Sequence, residues 1–411
     1  MLDPKKDRLD YGNILSPPPN YQLDFAVGAT YSLDLDALVG ASISLGLSSE
    51  MDSDLKENPI FLLEALRSTG DRIALFCESG QIKLPKKPTK LYILLEEMVF
   101  QVTNDNDVNY SKYASFHPKT WILRYVSHEN EVLYRFVVLS RNLTFDRSWD
   151  LSFSMDGKVT GEKTGKNDSL IKFVRYLSNY SNDAKRKRMN EIAEELEFVR
   201  FELKSNVFED FDFIVNGIGD EHSIQNHQLF KGDSLENLLI MSPFLSKDVI
   251  TGFSSRMDKN SKAVLITRMN SLGQLKGESL DNFKIYTLKD EVIDGESMLS
   301  EESYQRQDIH AKMYVVERGS YTDLYLGSLN ASHNALHGNV EFMIKLEAPK
   351  ARFNIDRALD GIFNEGKDNP FHMVNINDIK KQENGGNDLN LVVKDIVRLD
   401  AHAKVIPIEN N

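Results

Sequence analysis

One pattern constrains this chain more than any other: a short arrangement of polar residues and strands that occurs twice. His310-Ala311-Lys312 leads into an apolar run, Met313 to Val316, and a polar turn at Arg318, Gly319 and Ser320. A second apolar run follows, Leu324 to Leu326, and then Gly327-Ser328-Leu329-Asn330. Earlier, His117-Pro118-Lys119 leads into Trp121 to Val126, a turn at Ser127 to Asn130, a run from Val132 to Leu139, and Ser140-Arg141-Asn142. Each copy reads as a β-hairpin. Successive residues of a strand face opposite ways, so the histidine and lysine of each His-x-Lys point the same way. An imidazole, an ammonium and a carboxamide then meet at one end of a sheet, a set suited to an anionic ligand.

The repetition extends past the hairpins. Ala74 matches Val264, Ile93 matches Ile285, His117 matches His310 and Asn142 matches Asn330, at offsets of 190, 192, 193 and 188 residues. Val27 matches Ile240 at an offset of 213, which places an insertion of about twenty residues between the first two strands of the first half. Two copies are a duplication rather than a solenoid. Short apolar runs alternating with helical stretches predict α/β layers, and 411 residues exceed what one core usually serves. The expected organisation is an extended lead-in over 1–20, a first half over 21–168, a helical connector over 169–205, a second half over 206–350 and a C-terminal extension over 351–411. Residues 155–168, rich in Gly, Lys and Asp, read as a surface loop closing the first half. A pseudo-twofold axis between the halves would bring both His-x-Lys sets to one interface.

Composition narrows the class. An apolar share of 41% with 27% charged residues fits a soluble globular chain. No stretch approaches the roughly twenty apolar residues needed to cross a bilayer, and Met1 to Asp10 lacks an apolar signal core, so a cytoplasmic location is expected. A net charge of −13 argues against a broadly basic nucleic-acid coat but leaves room for a local basic cleft. Cys77, the single cysteine, excludes an internal disulfide and a thiolate cluster, and its apolar surroundings predict a buried thiol. Lys185, Arg186, Lys187 and Arg188 lie inside a helical pattern. They read either as a solvated face or as a contact for a nucleic-acid backbone.

Two histidines facing one another across a phosphate make a phosphodiesterase that needs no metal. One imidazole attacks phosphorus while the other protonates the leaving oxygen and then activates water. Lys119, Lys312, Asn142 and Asn330 would stabilise the charge that develops on the phosphoryl oxygens. No carboxylates or cysteines cluster at ligand spacing in the sequence, so neither a metal nor a cofactor is expected. His128, His333 and His337 are read as bystanders, and the Tyr and Phe residues as core.

These residues resemble the phospholipase D superfamily, whose motif is His-x-Lys, four residues, Asp, then Gly-Ser-x-Asn. The second copy matches with His310, Lys312, Glu317 in place of the Asp, Gly327, Ser328 and Asn330, and Gly338-Asn339-Val340-Glu341 resembles the family's Gly-Asn-x-Glu. The first copy departs from the pattern: Arg124 replaces the acid, and Ser140-Arg141-Asn142 replaces Gly-Ser-x-Asn. Loss of that acid is similar to the tyrosyl-DNA phosphodiesterase branch, as is Ser140 to Thr144 with Trp149 close behind. The resemblance implies two α/β/α halves with one active site between them. It implies that His117 is the nucleophile and His310 the general acid, or the reverse. It implies a supporting role for Glu341 and Asp150, with Ser140 and Ser328 beside them.

The expected function is a metal-independent nuclease acting on DNA through a phosphohistidine, in a setting such as restriction or anti-phage defence. If its site does not open alone, its partner would be a helicase or ATPase. The alternatives are a phospholipase D or phosphatidyl-transferase, a phosphodiesterase of nucleotide signals, and an inactive scaffold.

Overall fold

The computed structural model describes residues 11–379 apart from 48–58, 86, 105–113, 146–147, 220–223, 225–226, 228, 233, 274, 276–279, 290–307 and 364–368, and beyond them only Val392 and Ile396. Two mixed sheets dominate it. The first comprises β1 (Tyr21–Thr30), β2 (Ile73–Glu78), β3 (Val99–Val102), β4 (Thr120–Ser127), β5 (Val132–Leu139), β6 (Ser152–Val159) and β7 (Val199–Glu202), in the order β7-β6-β5-β4-β1-β2-β3. The second comprises β8 (Asp210–Asn216), β9 (Leu235–Met241), β10 (Met257–Ile266), β11 (Phe283–Leu288), β12 (Met313–Arg318), β13 (Tyr321–Gly327), β14 (Glu341–Pro349) and β15 (Phe371–Val374), in the order β8-β14-β13-β12-β9-β10-β11-β15.

Six strands of each sheet correspond. β1 pairs in parallel with β2 and antiparallel with β4, just as β9 pairs in parallel with β10 and antiparallel with β12. The parallel strands require crossovers, and helices supply them: α2 (Leu35–Gly46) and α3 (Pro59–Ser68) in the first half, α6 (Lys247–Ser254) in the second. Strands in such a sheet are covered on both faces, which is why Ile73 to Phe76 reads as an unbroken apolar run and the whole strand to Glu78 is buried.

The halves share one core. Phe136 of β5 meets Phe213 of β8 edge-on with ring centroids 4.8 Å apart, and lies 5.5 Å from Phe342 of β14. Phe173, on the connecting helix α4 (Asp168–Ser178), packs edge-to-face on Phe342 at 5.0 Å. Leu170, Phe173, Val174 and Leu177 recur at helical spacing and are all buried in this core. Burying aromatic surface of 150–250 Å² per ring is worth roughly 2–3 kcal/mol each, so the cluster holds the two sheets together.

The structure corrects several local expectations. Leu91 to Leu95 is not a strand. Lys90–Met98 forms 3₁₀ turns that bury Leu95 and Met98 while Ile93 stands exposed, and the strand matching β11 is β3, where Val99 takes the place of Ile285. The match between the opening strands is tighter by one residue, since the C-terminal hydroxyls that play the same part are Thr30 and Ser242. Residues 155–159 are strand rather than loop, because β6 pairs with β5 on one side and β7 on the other. The stretch from Val199 to Glu202 alternates buried and exposed residues and joins the first sheet instead of continuing the connector helix. Tyr11–Leu15 is a short helix (α1) within the lead-in, and β15 adds a strand from the C-terminal region to the second sheet. Cys77 is buried, and the tail beyond 380 lies almost wholly outside the described residues.

Candidate active site

The two His-x-Lys segments enter the site in the same way, each clipped to the opposite half. The backbone N–H of His117 donates to Val340 O at 2.9 Å, next to a bridge between Phe116 and Val340. The N–H of His310 donates to Trp149 O at 2.9 Å, next to the short ribbon pairing Asp308–Ile309 with Ser148–Trp149. Because the two clips are reciprocal, each histidine lies beside a carboxylate from the other half. His117 Nδ1 is 3.0 Å from Glu341 Oε2. His310 Nδ1 is 2.9 Å from the carbonyl of Ser140 and 3.5 Å from Asp150 Oδ1. Of the two, the Ser140 carbonyl is near enough to take the Nδ1 proton, while Asp150 acts on the ring through its charge.

Both carboxylates are fixed by the serine of the neighbouring Ser-x-Asn. Ser140 Oγ donates to Asp150 Oδ1 at 3.1 Å and accepts from the N–H of Leu151 at 2.8 Å. Ser328 Oγ donates to Glu341 Oε2 and accepts from the N–H of Phe342 at 3.0 Å. The correspondence of Asp150 with Glu341 and of Leu151 with Phe342 is thus written in hydrogen bonds. Asn339 Nδ2 adds a further donor to Glu341 at 2.9 Å, and Ser148 Oγ one to Asp150.

Lys119 and Lys312 are buried. Taking an ammonium out of water is costly unless acceptors compensate. Lys119 Nζ donates to His117 O at 2.9 Å, and Lys312 Nζ to His310 O at 2.6 Å, so each lysine closes a turn on its own histidine. Burial lowers the Lys119 pKa to about 7 against the opposing charges of Glu341 and Asp150. Burial and the proximity of Lys119 lower that of Lys312 well below the usual lysine range. Glu341 is pushed up to about 8 by burial, against the pull of Lys119 and its hydrogen bonds from Asn339 and Ser328. For Asp150, burial works upward, but the nearby His310 ring and a hydrogen bond from Ser148 hold it below the ordinary carboxylate value. Burial, with Lys312 acting in the same direction, lowers His310 to about 4.

The loops that carry the two asparagines are also a matched pair. Leu143 N–H donates to Thr30 Oγ1 at 2.9 Å, and Ala331 N–H to Ser242 Oγ at 3.0 Å. The side-chain oxygens of Asn142 and Asn330 are buried without a hydrogen-bond partner among the described residues. A buried amide that leaves hydrogen-bonding capacity unused is uncommon and marks a place for a polar ligand. Thr30 and Ser242 escape a reading confined to motifs, although each ends the first strand of its half. Tyr31 is a further neighbour that motifs do not flag, with its ring 5.1 Å from that of His117.

Other candidates lie elsewhere. The basic run sits on helix α5 (Asp183–Glu195) and is turned to internal use. Lys185 Nζ is buried and donates to the carbonyls of Gly70 and Ile73. Arg186 donates to the carbonyls of Ser178 and Ser181, and Arg188 pairs with Asp24 and Glu191. Asp24 is near the start of β1, whereas the site gathers at its other end, so these residues do not reach the histidines; of the four, only Lys187 is fully exposed. Arg124 and Glu317 are structural: Arg124 holds Glu195 and Asp24, and Glu317 accepts from Asn237 and from the N–H of Ile355, which opens α9 (Ile355–Phe363).

The fold is two copies of one α/β unit, with a His-x-Lys segment just ahead of a strand in each meeting at their junction. By sequence no protein-family model and no curated protein matches the chain. By structure it is similar to yeast tyrosyl-DNA phosphodiesterase, with 12% identity and a TM-score of 0.52 over 85% of this chain and 87% of that one. A histidine variant of the yeast enzyme gives the same TM-score and identity over 85% and 88%. Phosphatidylserine synthase of Haemophilus influenzae is more distant, at 11% identity and a TM-score of 0.46 over 94% and 89%. Among the described residues no helix is long and apolar enough to cross a membrane.

Proposed function

We propose that this protein is a phosphodiesterase that works through a phosphohistidine and that its substrate is DNA. The observation that carries the reading is the reciprocal pairing: two histidines, each supported by acceptors from the opposite half, with two buried lysines beside them. Burial and then the nearby Lys119 disfavour the charge of Lys312 there, and a phosphate beside it would relieve that cost.

With its proton on Nδ1 toward Glu341, His117 carries its lone pair on Nε2. His117, held in this orientation by Glu341, is the nucleophile. A bond forms from Nε2 to phosphorus as the bond from phosphorus to the leaving oxygen breaks. Burial and the neighbouring Lys312 and Lys119 make His310 a poor base, and it donates a proton to the leaving oxygen once an anionic phosphate has raised its proton affinity. In the second step His310 takes a proton from water, the water oxygen attacks phosphorus, and the bond to His117 breaks. Lys119, Lys312, Asn142 and Asn330 hold the phosphoryl oxygens. Similarity of fold to an enzyme named for DNA phosphodiester chemistry favours DNA as the substrate.

The test is hydrolysis of single- and double-stranded DNA by the purified chain in excess EDTA. Cleavage that survives the chelator and disappears in both His117→Ala and His310→Ala, but not in His128→Ala, is the expected result. Cleavage that persists in either of the first two variants would overturn the assignment.

A further inference from the structure

Three side chains outside the phosphate site converge on the surface of the second half. Asp248 lies in the first turn of α6, and His333 and His337 are four residues apart on the short helix α8 (His333–His337), which places both rings on one side. His333 Nδ1 is 2.6 Å from Asp248 Oδ2, and the two imidazoles stack with centroids 4.3 Å apart. One potential ligand atom from each of the three lies within 4.8 Å of the others.

The backbone beneath them is fixed. Ser246 N–H donates to Ala331 O at 3.0 Å, and His333 N–H donates to Ser246 Oγ at 2.7 Å, so the start of α6 is locked to the start of α8. The duplication does not explain the cluster. In the first half the place of Asp248 is taken by Asp36, which accepts from Tyr92, and that of His333 by Phe145. The three residues therefore belong to the second half alone and have no part in the paired machinery of the site.

We propose that Asp248, His333 and His337 bind a divalent transition-metal ion such as Zn²⁺. Two imidazole nitrogens and a carboxylate oxygen suit zinc, cobalt or nickel better than magnesium or calcium, which prefer oxygen alone. Ligand bonds of about 2.0–2.2 Å to a tetrahedral ion put donor atoms roughly 3.3 Å apart, a spacing that small rotations of these side chains reach. All three are exposed, so the remaining coordination positions open to solvent. The sequence hides the set, because Asp248 stands 85 residues from His333.

The full chain, stripped with chelator and desalted, is titrated with ZnCl₂ by calorimetry, and with CoCl₂ while visible absorption is followed. One ion per chain is expected, with a cobalt d–d band. His337→Ala and Asp248→Asn should each weaken binding by more than roughly 10-fold, since even losing an outer partner of a ligand usually costs that much. His128→Ala should bind as the parent does. Absence of stoichiometric binding, or the parent's affinity in both His337→Ala and Asp248→Asn, would overturn the proposal. Because the substituted side chains are exposed, the variants keep their fold, and the intact circular dichroism spectrum of each confirms that any loss is local.

Discussion

Glu341 Oε2, from the second half of the chain, lies 3.0 Å from Nδ1 of His117, in the first. Asp150 stands in the mirrored place beside His310. Neither half can complete its own histidine, so the duplication yields one site rather than two. On the proposed mechanism the arrangement also divides the labour: Glu341 serves the nucleophile, and Asp150 serves the proton donor.

That division has a kinetic consequence. A nitrophenyl phosphodiester has a leaving group that departs without a proton. With this substrate Asp150→Asn should keep its burst of nitrophenolate, while Glu341→Gln should slow the burst on the order of 10²-fold, at the low end of what a positioned acid or base contributes. With a DNA substrate both should be slowed, in kcat more than in KM. Stopped-flow absorbance measures the burst, and equal bursts in the two variants would refute the division.

Lys185 is a structural residue, and its substitution should show it. Lys185→Met removes donors from the buried carbonyls of Gly70 and Ile73 and should cost about 1–3 kcal/mol in urea unfolding. Affinity for single-stranded DNA at low salt should be unchanged. A drop in affinity with unaltered stability would return Lys185 to the substrate surface.

His227 gives the pH dependence of folding a defined sign. Burial, with Lys345 and Arg318 nearby, lowers its pKa from 6.5 to about 4, and its Nδ1 accepts from Leu229 N–H. Below pH 6.5 the unfolded chain takes up a proton that the folded chain refuses. The contribution is therefore fully present above 6.5 and is lost as pH falls toward about 4. The loss should be on the order of 2 kcal/mol, at about 1.4 kcal/mol per unit and discounted for partial exposure. His227→Gln should flatten the acid limb of a plot of unfolding free energy against pH, and an unchanged limb would contradict the assignment.

Much of this was legible in the sequence for a physical reason: the residues of the site recur at nearly constant spacing, and a strand's two-residue period fixes which of them share a face. The duplicated hairpins follow from that, but the His-x-Lys segments lie just ahead of the strands, where each lysine closes a turn on its own histidine instead of alternating along a strand. Ile93 shows where the reasoning stops, since an apolar run of five residues reads equally as a buried strand or as a turn with one wet face, and only packing against α2 and β2 decides. Phe201 shows the same in reverse, because its two-residue alternation was outweighed by the helical pattern before it. The crossing of Glu341 to His117 depends on how the halves dock, and the meeting of Asp248 with His333 on the close approach of two helix starts. Neither is encoded in any local stretch. The basic run misleads because charge is visible in a sequence while its internal acceptors, the backbone carbonyls of Gly70 and Ile73, are not.

The most direct test of the central claim is to look for the covalent bond. His310→Ala is incubated with a DNA oligonucleotide, quenched at alkaline pH to preserve phosphoramidate linkages, digested and mapped by mass spectrometry. The account predicts a nucleotide adduct on His117, absent from His117→Ala. An adduct on His310 in the His117→Ala protein, with none on His117 in His310→Ala, would contradict it.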